Sequence, residues 1–473
     1  MKKVEKPWGY EIIYAENESY VGKILHVLKG EMLSLQYHQF KDETLYLLSG
    51  LVELLVDEGG ELKKTVMKPG DTYRIKPKTK HRITGLEESD ILEVSTPEVH
   101  DVVRLEDKYG RVSKNKYGVI MAGGSGVRLW PRSRRKRPKQ LLDIISTEPM
   151  IKETIKRIRD VISEDNIVVV ANEEHRTELE KEIPEIPDNH IVFEPTARNT
   201  ATCIGLAAML IERMNPEGVM AVFPADHLIT EEETFANLLE TAFELASQTD
   251  MLITLGMMPT YPETGYGYIK GGELFRSFSG FDFFVVDEFQ EKPDREKAEE
   301  FLKSNEYYWN AGIFVWKARV ILQSIKKHLP ELHAALVEIS EGLDKKVELS
   351  KLLNEIYPKI EPISIDFGVL ERAENVLVVP GDIGWSDLGG WAALDGLIEK
   401  KGAGDNITWS KHINIDTKEC IIYSPKKLVA TIGLEGIIIV ETDDALLVST
   451  KDRAQDVKLV VEKLKESGLE EYL

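Results

Sequence analysis

Three regimes of apolar and polar patterning follow one another along the chain. Up to about residue 111, short alternating runs (22–28, 44–56 and 90–95) are separated by clusters of Gly, Pro, Asp and Lys. Alternation at period two, with almost no helical periodicity, predicts a small all-β unit. From about 116 to 401, apolar runs at 167–170, 191–193, 220–223 and 251–255 alternate with segments 150–162, 200–214 and 234–247. In those segments the apolar residues recur at steps of three and four. The alternation predicts an α/β layer whose mostly parallel sheet is covered on both faces, with ligands at the carboxyl ends of its strands. Beyond about 402, runs at 413–415, 421–423, 428–432, 437–440 and 446–448 predict further short strands, and 452–467 reads as one amphipathic helix. The polar stretch 106–116 suits a connection between domains. The expected domains are 1–112, 113–402 and 403–473.

Composition narrows the class. A chain of 473 residues, 42% hydrophobic and 30% charged, is long enough for two or three cores. A net charge of −21 argues against nucleic acid or an anionic membrane as partner. The first residues lack the apolar centre of a signal peptide, and no run reaches the length of a membrane span, so a cytoplasmic location is expected. Cys203 and Cys420 are too few and too isolated for a disulfide framework or a thiolate zinc site.

Candidate chemistry concentrates first in residues 117–143, YGVIMAGGSGVRLWPRSRRKRPKQLLD. A strand-like run, Val119 to Met121, opens into Ala122, Gly123, Gly124 and Gly126 and then into cations from Arg128 to Lys139. Glycine N–H groups in succession form a concavity suited to phosphate, and Arg128 and Lys139 add full charges at its two ends. A P-loop needs Gly-Lys-Ser/Thr, but Val127-Arg128 follows Gly126; a dinucleotide fingerprint needs glycine where Leu129 stands. Arg134 to Arg137 are expected to be solvated. The complete pattern, GGSGVRLWPRSRRKRPKQ, resembles the signature of sugar-nucleotide pyrophosphorylases.

Further motifs follow in order: EPTARNTA (194–201), FPADHLI (223–229), ETGYGYI (263–269), FQEKP (289–293), WNAGIFVW (309–316), ISIDFGVLE (363–371) and GWSDLGGW (384–391). Singly each admits a bland role, Asn199 or Thr200 as an N-cap and Asp226 as a turn-former. The aromatics of 309–316 read as core. In this order the set resembles the mannose-1-phosphate guanylyltransferases over roughly the last three-quarters of the chain. The resemblance implies a glycosyltransferase-A-like, Rossmann-type domain and a C-terminal left-handed β-helix. It implies conversion of GTP and mannose 1-phosphate to GDP-mannose and pyrophosphate. Ala122, Gly123, Gly124, Gly126, Arg128, Lys139, Asn199, Pro224 and Asp226 would surround the nucleotide. Gly265, Tyr266, Gly267, Glu291, Lys292, Asn310 and Asp366 would surround the sugar phosphate, and Asp226 with Asp387 would hold Mg²⁺. The tail is expected to support a homodimer.

In the first regime Gln36 and His38 stand two apart, so both face one side of a strand. Glu43 follows, and His81 comes after the turn Pro69-Gly70-Asp71. Nitrogen and oxygen donors of this kind suit Zn²⁺, Fe²⁺, Mn²⁺ or Ni²⁺. Framed by Gly30 and Gly50, the spacing resembles a cupin motif with Gln in place of its first His. KPWG (6–9), LSLQYH (33–38) and VVRLEDKYGR (102–111) resemble the cupin-type mannose-6-phosphate isomerases, whose usual His and Arg are here Phe40 and Lys41. The resemblance implies a β-barrel that holds Zn²⁺ or another divalent transition metal through Gln36, His38, Glu43 and His81 and interconverts hexose 6-phosphates. Lys41 and Arg82 are candidates for charge stabilisation, with surface roles as the alternative. Two other readings stay open: a different hexose 1-phosphate beside a non-catalytic cupin, or a non-catalytic sugar or nucleotide sensor.

Overall fold

The computed structural model describes residues 2–473 apart from 7, 18, 39, 58, 98–102, 107–114, 125, 396 and 398–403. The expected domain boundaries near 112 and 402, most of the connection 106–116, and parts of the KPWG and VVRLEDKYGR motifs lie outside the described residues. The chain clusters into two units, 1–115 and 116–473.

Unit 1–115 is two antiparallel sheets, one of six strands and one of five. Alternation sends Leu25, Leu45, Leu47, Leu54, Ile83 and Ile91 into one shared core. The run expected at 44–56 is two strands, Glu43–Ser49 and Val52–Asp57, because Gly50 turns the chain at φ 84° while the apolar alternation continues through it. Gln36 lies on the short strand Leu35–Tyr37 and pairs with His81, Glu43 and His81 open the strands Glu43–Ser49 and His81–Gly85, and His38 stands one residue beyond the strand it was expected to share with Gln36.

Unit 116–473 is built on a nine-stranded sheet. Its parallel part runs Ile191–Glu194, Ile167–Asn172, Lys116–Ala122 and Val219–Pro224. These strands are buried almost throughout, as expected for runs covered on both faces. The expectation of a mostly parallel sheet holds for these four strands and for Leu252–Met257, which runs parallel to Val376–Pro380, and two strands break it. Tyr307–Lys317 runs antiparallel to both of its main neighbours, Val219–Pro224 and Leu252–Met257, and the hairpin Gly267–Phe278/Phe281–Glu291 is antiparallel too. Helices Met150–Ile158, Asn199–Met214 and Glu232–Gln248 arise where the three- and four-residue steps place them.

After residue 403, parallel pairings of Ile407–Thr408 with Ile421–Tyr423, of Ile421–Tyr423 with Ile437–Glu441, and of Lys411–Ile415 with Leu428–Ile432 give a β-helix-type stack. The single helix expected at 452–467 is a 3₁₀ turn, Lys451–Asp456, followed by the α-helix Val457–Glu466. Ile407, Ile421, Ile438 and Val440 of this stack share one core with Leu129, Trp130, Leu142 and Ile144 of the glycine-rich segment. Among the described residues no helix is long and apolar enough to cross a membrane.

Candidate functional site

The buried strand Lys116–Ala122 delivers the chain to exposed Gly123 and Gly124. Gly126 has φ 57°, and a Cβ there would run into Lys139 Cβ. Only glycine lets Lys139 approach this closely. Most cations of the block are already neutralised: Arg132 pairs with Asp143 at 2.5 Å, Arg134 with Asp444 at 2.7 Å and Arg135 with Glu174 at 2.5 Å. Arg135, Lys136 and Arg137 are exposed, as expected, and the expectation of simple solvation is corrected for Arg134 alone. Arg134 in particular also donates to the carbonyls of Pro131 and Tyr472, which ties the loop to the tail. Arg128 differs. Its guanidinium donates to Gly389 O at 3.1 Å and Gln455 Oε1 at 3.2 Å, neutral acceptors that leave its charge available to an anion.

Lys139 is buried, and its ammonium joins the two aspartates named from sequence. Nζ lies 2.9 Å from Asp226 Oδ2 and donates to the backbone carbonyl of Asp387. Burial works to raise the Asp226 carboxyl, but the Lys139 charge holds it below the usual carboxylate range. The Asp387 carboxylate accepts from Tyr266 OH at 2.6 Å and Gly389 N at 2.9 Å. Asp226 therefore offers this ammonium a carboxylate and Asp387 its main-chain oxygen, while the Asp387 carboxylate is engaged by Tyr266 and Gly389.

Two cavities meet here. One of about 210 Å³ is lined by Gly265, Tyr266, Gly267, Glu291, Asn310 and Asp366, with Pro224 at its side. The other, of about 400 Å³, is lined by Arg128, Tyr261, Trp309, Gly389 and Gln455. Asp387, Gly265, Tyr266 and Trp385 line both. A Cβ at Gly267 would displace the Glu291 carboxylate, whose Oε2 lies 2.5 Å from its position. Asn310 is fixed on both sides: Thr254 Oγ1 donates to its Oδ1 at 3.1 Å, and its Nδ2 donates to Asp366 Oδ1 at 2.8 Å. Burial first, then the Glu291 charge, pushes the Asp366 carboxyl up to about 7. Lys292, Asp226, Lys139, Asn199 and the Ala122–Gly124 turn line neither of these cavities. Lys292 is largely exposed, with Nζ 2.6 Å from Glu291 Oε1. Asn199 is exposed at φ 65° and accepts from Thr200 N at 2.8 Å. Thr200 Oγ1 accepts from Ile365 N at 2.9 Å, beside Asp366.

Sequence reasoning missed four residues of this region. His227 and Trp385 sit inside quoted motifs, and only their contact gives them a role: Trp385 Nε1 donates to His227 Nδ1 at 3.1 Å. Burial lowers the imidazole to about 4. Gln455 had no signal at all. Glu194 opens its motif unremarked; Tyr357 OH donates to it, and burial raises its carboxyl to about 7.

In the other unit, His38, Glu43 and His81 are buried, with one ligating atom of each within 4.8 Å of the others. His81 Nδ1 lies 3.0 Å from Thr79 O, which can only accept, so Nδ1 carries the proton. In the neutral ring Nε2 then turns a lone pair toward Glu43 Oε1 at 3.1 Å. Two lone pairs facing each other call for a proton or a cation between them, so the cluster fits a divalent metal ion. Gln36 turns Nε2 toward His81 Nε2 at 3.5 Å while its Oε1 accepts from Ser34 Oγ at 2.7 Å. As a ligand it needs the opposite amide orientation. A surface role for Lys41 is corrected. It is buried and donates to Glu43 Oε2 at 2.6 Å and Glu93 Oε1 at 2.7 Å, because its ammonium is what makes two buried carboxylates tolerable side by side.

Comparison with known proteins agrees with this geometry. Family models described as nucleotidyl transferase, MannoseP isomerase/GMP-like beta-helix domain and cupin domain match residues 117–401, 410–464 and 23–95. The chain is 38% identical over 356 residues to a mannose-1-phosphate guanylyltransferase of Klebsiella pneumoniae, covering 75% of each. It is 38% identical over 355 residues to the xanthan biosynthesis protein XanB of Xanthomonas campestris, covering 75% of this chain and 74% of that one. A Thermus thermophilus crystal structure described as mannose-1-phosphate geranyltransferase matches with TM-score 0.66 at 30% identity, over 74% of this chain and 99% of that chain. The chain belongs to the mannose-1-phosphate guanylyltransferase family of nucleotidyl transferases, and it carries a cupin domain ahead of the part it shares with these relatives.

Proposed function

We propose that unit 116–473 joins GTP and mannose 1-phosphate to give GDP-mannose and pyrophosphate. The observation that carries this is the meeting of two cavities at Asp387, one walled by Glu291, Asn310 and Asp366, the other by Arg128. Carboxylates and a fixed amide suit sugar hydroxyls; an unneutralised guanidinium suits a polyphosphate. An oxygen of the sugar phosphate attacks the α-phosphorus, the bond to the β-phosphate oxygen breaks, and pyrophosphate leaves. Both reactants are anions, so the work is alignment and relief of repulsion. Arg128, Lys139 and the glycine N–H groups hold the triphosphate, with Asn199 and Pro224 beside the nucleotide. Lys292 holds the incoming phosphate, and Asp226 and Asp387 hold Mg²⁺. The bound ion supplies charge neutralisation between the two polyanions. Pyrophosphate release across a panel of nucleoside triphosphates and hexose 1-phosphates tests this. GTP with mannose 1-phosphate should be the productive pair; no release, or preference for another pair, overturns it.

The cupin unit is read as a metal-dependent isomerase of mannose 6-phosphate and fructose 6-phosphate, supported by the buried His38–Glu43–His81 cluster. Zn²⁺ or another divalent transition metal, when bound, polarises the sugar carbonyl. Glu43 is held in place by Lys41, whose ammonium Glu93 shares. A coupled assay after metal reconstitution decides it, since no isomerisation with any divalent ion reduces this unit to a binding module. The reading places both activities in the cytoplasm. Exposed Ile413, Leu428 and Ile432 on the paired strands of the tail support homodimerisation there, which light scattering of Ile432→Lys tests.

A further inference from the structure

His227 stands in the smaller cavity with a property fixed by one neighbour. The Trp385 indole N–H can only donate, so His227 Nδ1, 3.1 Å away, must accept. A doubly protonated ring would set two donors against each other, and the other neutral tautomer would do the same. The proton therefore sits on Nε2. That atom has no hydrogen-bond partner among the described residues, and it is not one of the buried polar atoms. The ring itself faces Gly312, whose added Cβ would lie 4.0 Å from His227 Cε1. Around it the polar lining is rich in acceptors: Glu291 and Asp387 are carboxylates, and Tyr266 OH is committed to Asp387. Asn310 spends one of its two amide N–H groups on Asp366 and has its oxygen taken by Thr254 and Gly312. A hexose offers acceptor and donor oxygens alike, so a cavity of acceptors recognises it better with a fixed donor among them.

We propose that His227 is a specificity-determining residue of the sugar site, its Nε2–H held in that tautomer by Trp385 and donated to an oxygen of the bound hexose 1-phosphate. The inference rests on the nucleotidyl-transfer reading and adds a residue to it. Two measurements on the full chain test it. In ¹⁵N-histidine NMR of the ligand-free protein, the His227 signals should show the neutral Nε2–H form, and Trp385→Phe should shift them toward a mixture. In pyrophosphate-release kinetics, His227→Phe should raise KM for mannose 1-phosphate about tenfold, the worth of one hydrogen bond, with KM for GTP within about twofold. His227→Gln, which keeps a donor at similar reach, should recover much of the loss. An Nδ1–H or charged ring, an unchanged KM for the sugar phosphate, or equal changes in both KM values overturns the proposal. If His227→Phe does not fold, the wild-type spectrum and His227→Gln decide it. An inactive wild type would instead sink the nucleotidyl-transfer reading, so the two failures are told apart.

Discussion

Glu194 keeps a proton near neutrality because burial outweighs the hydrogen bond from Tyr357. Its carboxyl ionises at about 7 when folded, against 4.5 for an ordinary glutamate. As pH rises between those values the unfolded chain gives up this proton first, so stability falls through that window and is level above it. The loss amounts to about 3 kcal/mol. Glu194→Gln keeps an acceptor for Tyr357 and cannot ionise. Denaturant titrations of the two proteins at pH 5 and pH 8 should show a flatter pH response for the variant; equal slopes would contradict this origin. At Lys292 the expectation is kinetic. Its exposed ammonium pairs with Glu291, so Lys292→Ala should raise KM for the sugar phosphate about tenfold or more while leaving thermal stability within about 0.5 kcal/mol. Unchanged kinetics for that substrate would remove Lys292 from the site.

At the scale of elements, the glycine-rich segment and the tail behave as one packed body. Trp391 Nε1 donates to Trp130 O at 3.0 Å, and Trp130 Nε1 donates to Tyr472 O at 2.9 Å. Removing residues 404–473 strips Arg128 of Gln455 and uncovers Leu129 and Trp130. Pyrophosphate release should fall at least a hundredfold and the melting temperature of the shortened chain should drop; a fully active truncation would show that the tail only decorates the site. How much of this was legible in the sequence depends on burial. The strands around Lys116–Ala122 are covered on both faces, so their apolar runs announce them. The strand Gly267–Phe278 is buried over only its first three residues, leaving a polar, glycine-containing remainder that pattern alone does not read as a strand. Candidate residues inside contiguous motifs stand out for the same local reason. The Trp385–His227 contact joins residues 158 positions apart, and Gln455 meets Arg128 across 327; no spacing rule reaches that far.

The molecule divides into two units, each with its own core and its own chemistry. Mutational effects should therefore stay within a unit. His81→Ala should abolish tight binding of a transition metal, measured as metal content after dialysis, and leave guanylyl transfer within about twofold. A collapse of both activities would mean that the units are energetically coupled.

The partners of Trp130 also dictate when the nucleotide site can exist. Trp391 lies 261 positions downstream and Tyr472 342, so the glycine-rich segment is synthesised long before the residues that shelter it. Closing such wide loops is slow, and until it happens Leu129 and Trp130 stay open to water and to neighbouring chains. Turnover should consequently be the last property to return on refolding, well after the circular dichroism of the parallel strands, and newly made protein should depend on a chaperone during that interval.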